Sequence, residues 1–122
     1  MSSSHKGSRV LCVDHSDAIL FVRQRILESA GYDVLIASNV DHGLNIIKRS
    51  HVDVAVIDNE MPAMPGRQLA RKMKQLNRKL PILMVSGSPR PMGKVSIDDF
   101  LMRSEGLGAL LEAVDALLEV AV

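Results

Sequence analysis

Apolar and polar residues form two kinds of pattern along this chain. Short unbroken apolar runs are typical of strands buried on both faces, and longer stretches with an apolar residue every three or four positions are typical of amphipathic helices. The apolar runs predict five strands, over residues 9–13, 33–37, 51–57, 82–85 and 100–102. Because helical stretches separate most of these strands, the pattern predicts an α/β fold with a doubly wound parallel sheet covered on both sides.

Four helices are predicted between and after these strands, each with one apolar face. Ser16 is the predicted N-cap of the first helix, and Gly31 is its predicted stop. Arg23 is assigned to a part of that helix outside the apolar face. The predicted inward residues are Ile19, Val22, Ile26 and Ala30 in the first helix, Val40, Leu44 and Ile47 in the second, Leu69, Met73 and Leu76 in the third, and Leu107, Leu110, Val114, Leu117 and Leu118 in the last.

Residues 88–96 interrupt the alternation of strands and helices. Pro89 and Pro91 lack a main-chain N–H group, and each costs about 3 kcal/mol inside a helix. Gly93 adds up to about 1 kcal/mol to that cost. Since the segment also has few apolar residues to bury, we predict an extended loop or a single short turn here, with the fourth helix of a regular alternation shortened or absent.

Composition limits the kind of protein this can be. The chain has 122 residues, of which 47% are apolar and 2% aromatic, so it can form one domain with an aliphatic core. A formal charge of +1 argues against a nucleic-acid interface. No apolar stretch has transmembrane length, so we expect a cytoplasmic protein. Cys12 is interpreted as a buried structural thiol. Residues 1–8 are predicted to be disordered, which leaves residues 9–122 as the folded domain.

Polar side chains follow four of the predicted strands: Asp14-His15, Asp58, Ser86 and Arg103. A lone aspartate after a strand is most often a turn residue. The carboxyl ends of parallel strands, however, lie along one edge of the sheet, where ligands bind. Two carboxylates, a hydroxyl group and a guanidinium group that converge there are harder to explain as separate turn residues. The pattern therefore favours Asp58, which directly follows a buried apolar run, as a reactive carboxylate.

These residues resemble the receiver domain of two-component response regulators, over nearly the whole chain from Val10 to Leu118. The motifs that carry the resemblance are Val13-Asp14, Val56-Ile57-Asp58 with Met61-Pro62 and Gly66, the run from Pro81 to Gly87, and Asp98-Asp99-Phe100-Leu101. The resemblance implies a flavodoxin-like fold with strand order 2-1-3-4-5. It also implies that Asp58 accepts a phosphoryl group from a sensor histidine kinase or a phosphotransfer protein.

The resemblance further implies roles for the other site residues. Mg²⁺, which prefers hard oxygen ligands, would be held by Asp58, by the main-chain carbonyl of Glu60 and by Asp14 through water. Ser86 would donate its hydroxyl hydrogen to a phosphoryl oxygen. Arg103 would pair with the phosphate, and Phe100 would be the aromatic residue whose rotamer reports the state of the site.

Several positions depart from the family's pattern. His15 stands where the family has a second acidic residue, and imidazole is a poor Mg²⁺ ligand, so we expect weak Mg²⁺ binding with His15 as a modifier of the acidic pocket. The alternative that His15 is only a polar loop residue facing solvent stays open. Arg103 replaces the family's lysine, and its forked guanidinium group changes the geometry. The segment from Ser86 to Arg103 is also shorter than usual.

Two functions follow from these observations. The first is a receiver domain in a phosphorelay, which is phosphorylated on Asp58 and signals through an unknown downstream protein. The alternative is a pseudo-receiver, with the same fold used as a phosphorylation-independent protein-binding module. An enzyme of the haloacid-dehalogenase type would need a second aspartate where Glu60 stands. The expectation is therefore a signalling domain, with self-catalysed phosphoryl transfer and hydrolysis as its only chemistry and without direct binding to nucleic acid or membrane.

Overall fold

The computed structural model describes residues 6–90, 93 and 95–121. Its elements are, in chain order, β1 (Arg9–Val13), α1 (Asp17–Ser29), β2 (Asp33–Ala37), α2 (Val40–Arg49), β3 (Val54–Asp58), α3 (Gly66–Leu76), β4 (Ile82–Ser86), β5 (Asp99–Met102), a single 3₁₀ turn (Arg103–Glu105) and α4 (Gly106–Ala121). The disorder predicted for residues 1–8 stays a prediction for residues 1–5, which lie outside the described part of the chain. Residues 6–8 are described, and there Gly7 N donates to Gly31 O at 2.8 Å and Ser8 O accepts from Asp33 N at 3.0 Å.

The five strands form one parallel sheet with the order β2-β1-β3-β4-β5. The predicted α/β fold and strand order are therefore confirmed. The register sets the carboxyl ends of neighbouring strands side by side. Val13 pairs with Ile57, Asp58 with Val85, and Ser86 with Met102. As a result, the polar residues that end or follow β1, β3, β4 and β5 lie along one edge of the sheet.

Alternate residues of each strand point to opposite faces of the sheet and form two aliphatic core clusters. Val10 and Cys12 of β1 contribute to the cluster under α1 and α4. Leu11 and Val13 contribute to the cluster under α2 and α3. Cys12 is a free thiol that is fully buried, which confirms its interpretation as a buried structural thiol, and burial raises its pKa to about 12. Among the described residues, no helix has both the length and the hydropathy needed to cross a bilayer.

The apolar faces predicted for the helices are partly wrong. In α1 the buried residues are Leu20, Arg23 and Leu27, whereas Val22 is 45% exposed. Apolar residues occupy nearly every side of the first turns of α1, so their spacing does not select one face. The ion pair of Arg23 with a buried carboxylate draws that side of the helix inward. Leu76 and Leu107 were also predicted to face inward but are exposed, because they lie at the end of α3 and the start of α4.

The connection from β4 to β5 contains no helical residue in its described positions, 87–90, 93 and 95–98. This agrees with the predicted absence of a regular helix, although Pro91, Met92 and Lys94 lie outside the described residues. Gly93 has a φ of +86°, which is not helical. Asp98 fastens the end of the connection, since its carboxylate accepts hydrogen bonds from Ile82 N (2.8 Å) and Lys74 Nζ (2.7 Å).

Candidate functional site

Two fully buried carboxylates lie at the carboxyl edge of the sheet. Asp14 follows β1 and Asp58 ends β3, and neither is exposed to solvent. The main chain holds both positions, because Asp14 N donates to Ala37 O at 3.2 Å and Asn59 N donates to Val85 O at 3.0 Å. Ligand atoms of Asp14, His15 and Asp58 all lie within 4.8 Å of one another. The predicted convergence of these three residues is therefore observed.

Asp58 accepts hydrogen bonds on both carboxylate oxygens. Oδ1 accepts from Glu60 N at 2.9 Å and from Arg103 Nη2 at 3.3 Å. Oδ2 lies 2.7 Å from His15 Nδ1. His15 is therefore in contact with the buried carboxylate and is more than a polar loop residue facing solvent, although 43% of its side chain is exposed. Arg103 reaches the site from the turn after β5, as predicted from its position at the strand end.

Asp14 is held between the start of α1 and a buried arginine. Its Oδ1 accepts a hydrogen bond from Ser16 N at 2.9 Å, and Ser16 in turn caps α1 through Ile19 N. Its Oδ2 lies 3.2 Å from Arg23 Nη1 and 3.9 Å from Arg103 Nη2. The buried pair with Arg23 is a part of the site that the sequence reasoning missed. The spacing of Leu20, Arg23 and Leu27 could have indicated it, because residues three and seven apart share a helix face.

Ser86 and Glu60 form a second group beside Asp58. Ser86 Oγ donates to Glu60 Oε2 at 2.7 Å, and Gly87 N donates to Glu60 Oε1 at 2.8 Å. Asn59 Nδ2 donates to Ser86 Oγ at 3.3 Å. The hydroxyl group of Ser86 is thus next to the loop after Asp58 but is engaged with Glu60. The resemblance implied a role only for the main-chain carbonyl of Glu60, so the contact made by its side chain was also missed.

Phe100 and Gly66, which were also named from the sequence, make no contact with the carboxylate of Asp58 among the hydrogen bonds described above. Phe100 is partly buried and packs against the core cluster under α2 and α3. Gly66 begins α3, and its N–H donates to Asn59 O at 3.0 Å. A Cβ atom at Gly66 would lie 2.6 Å from Asn59 Cα, so only glycine allows α3 to approach the loop after Asp58 this closely.

The buried carboxylates of the site lie close to guanidinium groups. Two carboxylates, Asp14 and Asp58, face two guanidinium groups, Arg23 and Arg103, at distances of 3.2–3.9 Å. The carboxylates supply the hard oxygen atoms that Mg²⁺ prefers, and their spacing suits a shared ion. The residues present thus fit a divalent cation, but the cation would share its ligands with positively charged side chains. Chemically, the arrangement offers a buried nucleophilic carboxylate surrounded by hydrogen-bond donors.

Comparisons with known proteins agree on one family. The family model for the response regulator receiver domain matches residues 10–115. The transcriptional regulatory protein GlrR of Escherichia coli K12 is 28% identical over 121 residues, which cover 95% of this chain and 27% of GlrR. The chain thus spans about a quarter of the length of that relative.

Solved structures give the same result. A CheY-like response regulator receiver domain protein from Methanospirillum hungatei superposes with a TM-score of 0.89 at 29% identity, over 95% of this chain and 97% of that chain. The response regulator TrrA of Thermotoga maritima, in complex with Mg²⁺ and BeF, has the same fold, with a TM-score of 0.83 at 23% identity over 90% and 98% of the two chains. Because the family model covers most of the sequence, this chain belongs to the response regulator receiver domain family.

Proposed function

We propose that this receiver domain accepts a phosphoryl group on Asp58 from a sensor histidine kinase or a phosphotransfer protein. The observation that carries the proposal is the surroundings of Asp58, a fully buried carboxylate that ends a central strand and accepts hydrogen bonds from Glu60 N and Arg103 Nη2. Donors that neutralise charge on a transferring phosphoryl group are the main requirement of phosphoryl transfer. A receiver domain is a signalling domain rather than a classical enzyme.

In the transfer step, a carboxylate oxygen of Asp58 forms a bond to phosphorus while the bond from phosphorus to the donor breaks. The electron pair of the broken bond leaves with the donor. In the described part of the chain, Oδ2 has one partner, His15, whereas Oδ1 has two. Oδ2 is therefore the proposed attacking atom, and the partly exposed His15 side chain would move aside to admit the phosphoryl group.

The neighbouring side chains have proposed roles after transfer. Arg103 would pair with the new phosphoryl oxygens, because its guanidinium group already lies 3.3 Å from Asp58 Oδ1. Ser86 would exchange Glu60 for a phosphoryl oxygen, since its hydroxyl group can donate only one hydrogen bond at a time. Phe100 would report the change through its rotamer. The signal would then pass to a downstream protein in the cytoplasm, without contact to nucleic acid or membrane.

Mg²⁺ is the proposed cofactor, held weakly by the carboxylates of Asp14 and Asp58 and by the main-chain carbonyl of Glu60. When bound, it would supply positive charge to the transferring phosphoryl group. The domain itself is proposed to span residues 9–122.

Labelling by a small phosphodonor tests the proposed function. We expect incubation with acetyl phosphate and Mg²⁺ to add one phosphoryl group to the protein, as measured by intact mass. The added mass should disappear on treatment with hydroxylamine, which cleaves acyl phosphates. An unchanged mass under these conditions would count against the proposed function and favour the alternative, a pseudo-receiver.

The substitution His15→Asp should strengthen Mg²⁺ binding on the order of tenfold, because it replaces a poor ligand by a charged oxygen ligand. His15→Asn is the matched control, since it removes the imidazole without adding a charge. Calorimetric titration with Mg²⁺ measures both variants against the wild-type protein. Equal affinities for the wild-type protein and His15→Asp would show that position 15 does not determine metal binding.

A further inference from the structure

Arg23 is the only buried cation among the residues that the structure describes, with 4% of its surface exposed. It lies on the inward side of α1, between Leu20 and Leu27. A guanidinium group is almost never buried unless it is paired, because removing it from water costs more than apolar packing returns. The position of Arg23 therefore needs a specific partner.

That partner is Asp14. Arg23 Nη1 donates to Asp14 Oδ2 at 3.2 Å, and this is the one hydrogen bond that the Arg23 side chain makes within the described part of the chain. The other oxygen of Asp14 accepts the N–H of Ser16. A fixed positive charge thus occupies one side of a carboxylate that the site would otherwise offer to a cation.

The other guanidinium group of the site, that of Arg103, belongs mainly to Asp58, so Arg23 is the fixed positive charge beside Asp14. Arg103 Nη2 lies nearer to Asp58 (3.3 Å) than to Asp14 (3.9 Å), and Arg103 is 39% exposed. Solvent therefore screens Arg103, and its long side chain can follow an incoming group. Arg23 is not screened in this way and cannot move with an incoming group, because α1 and the core hold it in place. A divalent ion at Asp14 would meet the charge of Arg23 in a region that water screens poorly.

We propose that Arg23 is a positioning residue that acts as a built-in counter-ion to Asp14. It lowers the affinity of the site for Mg²⁺ and reduces the dependence of phosphoryl uptake on Mg²⁺. The second part rests on the proposed function, whereas the first part concerns metal binding alone.

The test compares Mg²⁺ binding by the wild-type protein, Arg23→Leu and Arg23→Lys, with Mg²⁺ alone as the probe. Arg23→Leu should bind Mg²⁺ about tenfold more tightly, a change typical of altered partners of metal ligands. Arg23→Lys keeps the charge and should stay close to the wild-type affinity. The matched control is Arg25→Leu, an exposed arginine on the same helix that stacks on Phe21, and it should leave the affinity unchanged.

The shift of the thermal unfolding midpoint on addition of Mg²⁺ gives a second readout. A purely structural role of Arg23 would not alter this shift. The midpoint of Arg23→Leu should rise markedly with added Mg²⁺, because the ion would replace the lost partner of Asp14. The wild-type midpoint should change little. Equal Mg²⁺ affinity of wild type and Arg23→Leu, or a tight site in Arg23→Lys, would overturn the proposal. If Arg23→Leu does not fold, a large rise in the wild-type midpoint with Mg²⁺ would overturn it equally.

Phosphoryl uptake separates this inference from the proposed function. With saturating Mg²⁺, wild type and Arg23→Leu should both gain a phosphoryl group, whereas in a chelator the wild type should retain the larger fraction of its rate. If neither protein is labelled under any condition, the proposed function fails, and the difference in Mg²⁺ affinity still tests the role of Arg23. If both proteins are labelled with equal dependence on Mg²⁺, the role of Arg23 is refuted and the proposed function stands.

Discussion

Asp58→Asn should abolish phosphoryl incorporation from acetyl phosphate and leave the protein folded. The amide has nearly the shape of the carboxylate, and its oxygen can still accept the hydrogen bonds from Glu60 N and Arg103 Nη2. It lacks the negatively charged oxygen that the proposed attack on phosphorus requires. Intact mass measures the label, and circular dichroism during thermal unfolding verifies the fold. The expected label is below detection, whereas the wild-type protein gains one phosphoryl group.

The control for Asp58→Asn is Asp53→Asn, which changes a carboxylate just before the opposite end of the same strand. Asp53 accepts a hydrogen bond from Arg9 N and lies away from the site, so this variant should be labelled like the wild-type protein. A phosphoryl group on Asp58→Asn would identify another carboxylate, such as Asp14 or Glu60, as the acceptor. Peptide mapping of the labelled protein would then locate it.

Asp14→Ala should lower the free energy of unfolding by about 3 kcal/mol, the lower end of the range for a buried ion pair that loses one partner. The cost arises because Arg23 stays buried without its carboxylate. The lower end applies because loss of the Asp14 carboxylate would open a path for water to Arg23 from the adjoining cavity of about 300 Å³ between α1 and α4. Urea unfolding monitored by circular dichroism gives the free energy by linear extrapolation.

The double substitution Asp14→Ala with Arg23→Leu should recover most of that stability. A leucine at position 23 would face Val85, Leu101 and Leu110 across the cavity, and apolar replacement of a buried ion pair is often neutral. A coupling free energy near zero between the two positions would show that water already solvates the guanidinium group. Arg23 and Asp14 would then not form a pair that excludes water.

The fold and half of the site are predictable from the sequence, because the relevant signals are local. Each strand contains a short apolar run, and Asp14, Asp58, Ser86 and Arg103 each follow such a run directly. The parallel order then brings Asp14, Asp58, Ser86 and Arg103 to one edge, whatever the details of packing. The loop after β4 was predictable for the same reason, since proline and glycine act on their own main chain.

The rest of the site depends on contacts between distant segments. Apolar residues occupy several sides of α1, so spacing alone leaves more than one possible buried face. The contact of Arg23 with Asp14 distinguishes the face that is buried, and it forms only when α1 lies beside the end of β1. The side chain of Glu60 likewise turns towards Ser86 and Gly87, residues that are far away in sequence. Predicting either contact requires the sheet to be assembled first, because only then are the partners neighbours.

Hydrogen bonds hold both ends of the connection between β4 and β5, and this favours evolutionary change in the length of the segment between them. At one end, Ser86 and Gly87 donate hydrogen bonds to the side chain of Glu60. At the other end, Asp98 accepts hydrogen bonds from Ile82 N and Lys74 Nζ. All of these bonds lie outside residues 88–97. Doubling the length of a loop between fixed ends costs only about 0.6 kcal/mol in closure entropy. Insertions and deletions there would leave these hydrogen bonds and the carboxyl edge of the sheet in place, so this segment is where related proteins could diverge in length and acquire different partners.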